Sequence, residues 1–132
     1  RTTAELANLV RRIVPASRHD RIDPATRTFQ ALRIAVNQEL DGLGATIETL
    51  VARLAGGGRI AVIAFHSLED RISKTTLRRL AETCRCRRGD PCTCGAQEWL
   101  DLPVRRAVSC TRAEANENPR ARSAKLRWGI KR

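Results

Sequence analysis

Apolar side chains recur along the first part of this chain at spacings of three and four, the period of helices covered on one face. Leu6, Leu9, Val10 and Ile13 form the first such stripe, which stops before Pro15. Thr2 and Glu5 have the spacing of a capping box, in which a hydroxyl and a carboxylate each satisfy a free amide. Residues 16–22 are polar and read as a loop. Asp23 before Pro24 predicts a second helix start, because Asp caps free amides and Pro fits a first turn where its missing N–H costs nothing. Phe29, Leu32, Val36, Leu40, Leu43, Ile47, Leu50 and Leu54 continue the helical spacing, so a long helix is expected, with Gly42 and Gly44 as the places where it bends or splits.

The period then changes. Gly56, Gly57 and Gly58 end the helix, and residues 59–65 (RIAVIAF) form a short apolar run rich in β-branched side chains that reads as a buried strand. A new helix is expected from Ser67. Helix, glycine turn, buried strand and helix make the rhythm of a parallel α/β sheet, in which ligands bind beyond the carboxyl ends of the strands. His66, Ser67, Glu69 and Asp70 fall at such an end. Further along, residues 103–108 read as a strand, 109–117 as a short helix and 124–130 as a final strand. There is no internal repeat and no low-complexity segment.

Length and charge narrow the function classes. A chain of 132 residues holds one core and a small appendage, which excludes a multidomain machine. Lys and Arg total 25 against 14 Asp and Glu, a net charge of +11 that makes polyanionic RNA or DNA the first partner to consider. Nearly all the cations are Arg, whose planar fork suits phosphate and base edges, although a GC-rich genome also enriches Arg. The part from Cys84 onward carries most of the positive charge. No run approaches the ~18 to 20 apolar residues of a membrane span and no signal peptide is visible, so a cytoplasmic protein without membrane partners is expected. The chain lacks Met and starts at Arg1, inside a predicted helix, and is expected to be a fragment or a processed part of something longer.

Four side-chain groups are candidates for chemistry. Cys84-Arg85-Cys86 and Cys92-Thr93-Cys94 are Cys-x-Cys pairs, and residues i and i+2 of an extended segment face one way. Gly89-Asp90-Pro91 supplies a turn between them, so four thiolates of a structural zinc site, free thiols, and disulfides across the hairpin are all open readings. Cys110 has no sequence partner and is expected to pack. In the His66 cluster, Ser67 capping a helix with Asp70 at the third helical position needs no chemistry, which leaves His66 and Glu69 unexplained. Thr26, Gln30, Arg33 and Asn37 form a polar stripe of residue types that also read base edges. Arg120, Arg122, Lys125 and Arg127 crowd a short span that suits phosphate contacts.

Residues 21–40 (RIDPATRTFQALRIAVNQEL), Gly58-Arg59 leading into 65–71 (FHSLEDR), and 118–127 (NPRARSAKLR) together closely resemble the MraW/RsmH family. Its members are S-adenosylmethionine-dependent methyltransferases that modify the N4 amine of a cytidine in the decoding region of small-subunit ribosomal RNA. The resemblance spans nearly the whole chain, and the Cys-x-Cys pairs look like a variant found in part of the family. It implies an α/β fold: the C-terminal part of a Rossmann-like (class I) methyltransferase sheet with a helical insert. Residues 1–55 would be the insert region facing RNA. Residues 56–132 would be the late strands and helices, with a Cys-rich loop at 84–94, residues 59–65 as the fifth strand, and strands near Val104 and Leu126 as a closing pair.

The residue patterns and the resemblance together give the expected roles. His66, Glu69 and Asp70 are the catalytic candidates; Thr26, Arg27, Gln30, Arg33, Asn37, Ser67, Arg120, Arg122 and Lys125 are the candidates for RNA contact; Cys84, Cys86, Cys92 and Cys94 are the candidates for metal. The expected partner is small-subunit rRNA or the ribosomal subunit, with a homodimer as an option. The family's glycine-rich donor loop, which follows a first strand, has no match here, because Gly56-Gly57-Gly58 precedes a strand. S-adenosylmethionine is therefore expected to be held mainly by residues outside this chain, which alone should not methylate. Two rival readings are a non-catalytic basic RNA- or ribosome-binding module with a structural zinc site and, disfavoured for lack of a base-reading helix after the cysteines, a DNA-binding zinc module.

Overall fold

Thr2 opens the first helix in the way its spacing from Glu5 predicts: its hydroxyl accepts from the Glu5 amide while the Glu5 carboxylate accepts from the Thr2 amide. The computed structural model describes residues 2–14, 22–84, 86, 91, 93–96 and 98–132, so the polar loop expected at 16–22 lies, except for Ile22, outside the described residues, as do Gly89 and Asp90 of the expected turn and Cys92. Helix α1 covers Thr3–Ile13 and α2 covers Pro24–Asn37, with Asp23 capping α2 through the Ala25 amide and Pro24 in its first turn. α1 and α2 pack on each other within a unit that runs from Arg1 to Asp41. That unit buries little: only Ala25 on its two helices is fully covered, and Val36 is 80% exposed.

The long helix splits. α2 ends at Asn37, Gln38 and Gly42 both take left-handed backbone (φ 51° and 78°), and α3 begins afresh as Leu43–Arg53. A glycine at the second of these turns the chain without the steric cost that a side chain would meet there. α3 belongs to the second compact unit, Gly42–Arg132. The reason is packing: Ile47 and Val51 of α3 are buried in one core with Ile60, Leu77, Leu80 and Leu100.

In that second unit, strand β1 (Arg59–Ala64) leads into helix α4 (Ser67–Leu80), followed by β2 (Leu100–Asp101), β3 (Val108–Ser109), α5 (Arg112–Glu117), a 3-10 turn (Pro119–Ser123) and β4 (Lys125–Lys131). β4 is the hub: β1 pairs with it from Arg59↔Ile130 to Ala64↔Lys125, while β2 and β3 pair with its two ends. All these pairings are antiparallel, which corrects the parallel sheet expected from rhythm alone. β1 and β2 do run in the same direction around α4, but β4 is interposed between them. Residues 103–107, read as strand from sequence, lie between β2 and β3 instead.

β1 is also not buried on both faces. Ile60 and Ala64 are buried on the face that α4 covers, whereas Ile63 is 60% exposed, so its burial alternates as in a strand with one open face. Among the described residues, β1 has a strand neighbour on one edge only. No helix among them is long and apolar enough to cross a membrane.

Candidate functional site

The turn from β1 into α4 gathers the polar cluster picked out by sequence, but with the roles moved by one residue. Extended backbone continues through His66 (φ −138°, ψ 164°), so His66 is the cap and Ser67 the first helical residue. His66 Nδ1 accepts from the Glu69 amide at 3.3 Å, and Glu69 Oε2 accepts from the amides of Phe65 at 3.0 Å and His66 at 3.4 Å. This corrects the Ser67–Asp70 capping box. Both pairs have the right spacing, but the glutamate at Glu69 has the longer reach that the reciprocal bond to a cap amide favours, a signal available in the sequence.

With its Nδ1 accepting, the neutral His66 ring carries its proton on Nε2. That nitrogen lies 3.4 Å from Glu69 Oε1 without hydrogen-bond alignment, and it is buried with no hydrogen-bond partner among the described residues, in a side chain only 10% exposed. A buried polar atom left unmatched costs free energy and calls for an explanation. Ser67 and Leu68 beside it are exposed.

Asp70, released from capping, reaches across to β4. Its two carboxylate oxygens accept from Arg127 Nε at 2.7 Å and from the other end of the guanidinium fork at 3.0 Å, with side chains 23% and 13% exposed. The Arg127 hydrogen bond holds the Asp70 carboxyl below the usual range, assisted by the positive charges of Arg127, Lys125 and Lys74 and opposed by burial. Arg127 is thereby engaged in structure, unlike the phosphate role its place in the basic span suggested. The rest of that span divides: Arg120 and Arg122 are exposed on the 3-10 turn that Asn118 caps, and Lys125 Nζ donates to Ser109 Oγ at 2.6 Å.

In the first unit, the predicted polar stripe lies along α2. Thr26, Arg27, Arg33 and Asn37 are exposed and Gln30 is half-buried. Arg33 binds Glu39 through Nε and its terminal nitrogen at 3.1 and 3.0 Å, and Asn37 Nδ2 donates to the same carboxylate at 3.1 Å. Two stripe residues therefore also close the turn after α2. The second unit holds a cleft of about 670 Å³ that sequence reading did not find, where Arg78, Arg79, Arg105 and Arg132 meet beside Asp101 and Glu82. Arg78 and Arg79 read in sequence only as the usual basic last turn of a helix.

Three of the four candidate metal ligands come together. The sulfurs of Cys84, Cys86 and Cys94 lie within 4.8 Å of one another, and those of Cys84 and Cys94 are 3.6 Å apart. Hydrogen bonds from the Thr93 and Cys94 backbone amides hold the Cys86 thiol below its ordinary range.

The Gly56–Gly58 turn does not fit a methyl-donor cradle. It precedes β1, and two of its amides are spent inside the fold, Gly57 N–H on Lys131 O at 2.8 Å and Gly58 N–H on Ala55 O at 2.9 Å.

Compared with known proteins, residues 1–132 match the model of the MraW methylase family from end to end. The chain belongs to that family. It is 54% identical over 127 residues to the ribosomal RNA small subunit methyltransferase H of Thermomicrobium roseum, a match covering 96% of this chain and 39% of that protein. The proteins of the same name from Anaeromyxobacter sp. strain Fw109-5 and Nitratidesulfovibrio vulgaris strain DP4 are 53% and 52% identical, covering 95% and 96% of this chain and 41% and 40% of theirs. The chain thus spans about two fifths of the length of the curated relatives it matches.

Proposed function

We propose that this chain is the C-terminal, substrate-facing portion of an enzyme that transfers a methyl group from S-adenosylmethionine to the N4 amine of a cytidine in the decoding region of small-subunit rRNA. The observation that carries this reading is the end-to-end match to the MraW methylase family. When bound, S-adenosylmethionine supplies an electrophilic methyl group. Since the glycine turn here does not fit that donor, we assign its site to residues outside these 132.

The chain's own task is then positioning. The N4 lone pair of cytosine is conjugated with the ring, so the amine is a poor nucleophile that must be held in line with the methyl group, after the base has left its stack. His66 Nε2–H is a buried donor with no hydrogen-bond partner among the described residues, suited to an acceptor on the Watson–Crick edge of a flipped base. Glu69 is a positioning residue that holds the His66 ring through the cap, and Asp70 is another that ties the start of α4 to β4 through Arg127. Arg120, Arg122 and Lys125, with Thr26, Arg27, Gln30, Arg33 and Asn37 of the other unit and Ser67 beside His66, are the proposed RNA contacts.

A calorimetric titration of the 132-residue chain with S-adenosylmethionine tests the division of labour, with a full-length relative as the positive control. No binding by the chain beside normal binding by the control supports it. Micromolar binding by the chain alone places the donor site within these residues and overturns it.

A further inference from the structure

Between α4 and β2 the described residues of the segment 82–98 have no helix or strand, and none contributes to the hydrophobic core. The ends of the segment are tied by polar bonds: Cys84 N–H donates to Glu98 Oε1 at 2.6 Å, and Trp99 N–H donates to Leu80 O at 2.8 Å. The described residues between those ends add no apolar packing to the core, and three sulfurs converge among them.

Their spacing is informative. Zinc–sulfur bonds of about 2.3 Å in a tetrahedron put neighbouring sulfurs about 3.8 Å apart, whereas a disulfide places them about 2.05 Å apart. Cys84 and Cys94 are separated by 3.6 Å, close to the tetrahedral edge and far from the disulfide, and the Cys86 sulfur lies within 4.8 Å of both. The Thr93 N–H points at the Cys86 sulfur at 3.4 Å, as an amide does that stabilises a charged thiolate ligand. The sequence separations that bring this about are short: Cys84 and Cys86 flank one residue, and Cys94 returns to them ten residues after Cys84.

We propose that Cys84, Cys86 and Cys94 are ligands of a structural zinc ion that staples this loop. Soft thiolates select zinc over hard cations such as magnesium and calcium, which take oxygen donors. The ion performs the task that buried apolar side chains perform elsewhere in the unit, fixing the crossover from α4 to the sheet at low cost in chain length. The proposal does not rest on the methyltransferase reading. Either can fail without the other.

The test is the metal content of the full 132-residue chain, purified under reducing conditions without added metal, together with its absorption spectrum after exchange with cobalt(II). About one zinc per chain is expected, along with the sulfur-to-cobalt charge-transfer band and intense visible bands of a tetrahedral thiolate site. Zinc should be lost in the Cys84→Ser/Cys94→Ser variant and retained in Cys110→Ser, whose thiol stands apart from the cluster in sequence. Absence of zinc together with absence of the cobalt bands in the unaltered chain overturns the proposal, and so does full zinc retention by the double variant. The spectrum of the unaltered chain keeps the test decisive even where the variant fails to fold.

Discussion

At the scale of single residues, the division between chemistry and structure runs through one seven-residue motif. His66 has an unmatched buried Nε2, whereas Glu69 and Asp70 spend their carboxylates on the cap and on Arg127. In the full-length enzyme, His66→Ala removes one buried hydrogen bond to the base and should therefore lower turnover by about 10- to 100-fold, with little change in RNA affinity, as single-turnover kinetics and filter binding would report; unchanged turnover removes His66 from the substrate. Asp70→Asn should cost about 1–2 kcal/mol of stability at neutral pH. The sign follows from the lowered carboxyl: the Asp70 contribution is complete above the ordinary value of about 3.9 and disappears as pH falls through the lower folded-state value. Urea melts of the two proteins should therefore converge in acid, and a constant gap at every pH contradicts the pairing. The motif's position was legible in sequence, because a polar cluster at a strand end is conspicuous. Its internal roles were harder to read, since Ser67–Asp70 and His66–Glu69 share the capping spacing; the longer reach of glutamate favours the second pair, and the extended backbone at His66 decides for it.

At the scale of elements, the helices were the more legible part. Thr2, Asp23 and Pro24 announce their starts through local capping chemistry, and α1, α2 and α4 begin where those signals or the motif place them. Strand pairing is non-local, and the sequence could not reveal that β4, last in the chain, inserts between β1 and β2. The turn before β1 is likewise set by close approach: a Cβ on Gly58 would sit 2.8 Å from the Ala55 carbonyl oxygen, a backbone atom. Gly58→Ala should accordingly destabilise the second unit by about 1–3 kcal/mol, read as a lowered urea midpoint. Leu77→Ala, at a side chain only 2% exposed in the core that α3, α4, β1 and β2 share, should cost about 2–5 kcal/mol in the same assay. A loss below 1 kcal/mol there contradicts the core assignment.

At the scale of the whole molecule, charge and length matter most. A net charge of +11 makes salt-sensitive RNA binding the expectation, but it distinguishes neither substrate nor chemistry. If the exposed Arg120 and Arg122 contact phosphates, Arg120→Ala/Arg122→Ala should weaken RNA binding across sequences and flatten the dependence of log K on log salt by about 1.4 to 1.8. An unchanged slope moves the contact elsewhere, for instance to the arginines around the cleft at Arg78 and Arg105. The substrate chemistry came from resemblance, carried by three long motifs in order, and not from charge or periodicity; the family match then covers the same span. On the proposed function, these residues serve methylation of cytidine N4 in small-subunit rRNA. That function is tested most directly by incubating small ribosomal subunits that lack the modification with S-adenosylmethionine and a full-length protein carrying these 132 residues, then analysing the digested rRNA by nucleoside mass spectrometry. N4-methylcytidine confined to the decoding region is the expected product; methylation at another atom or another region, or none, rules the proposed function out.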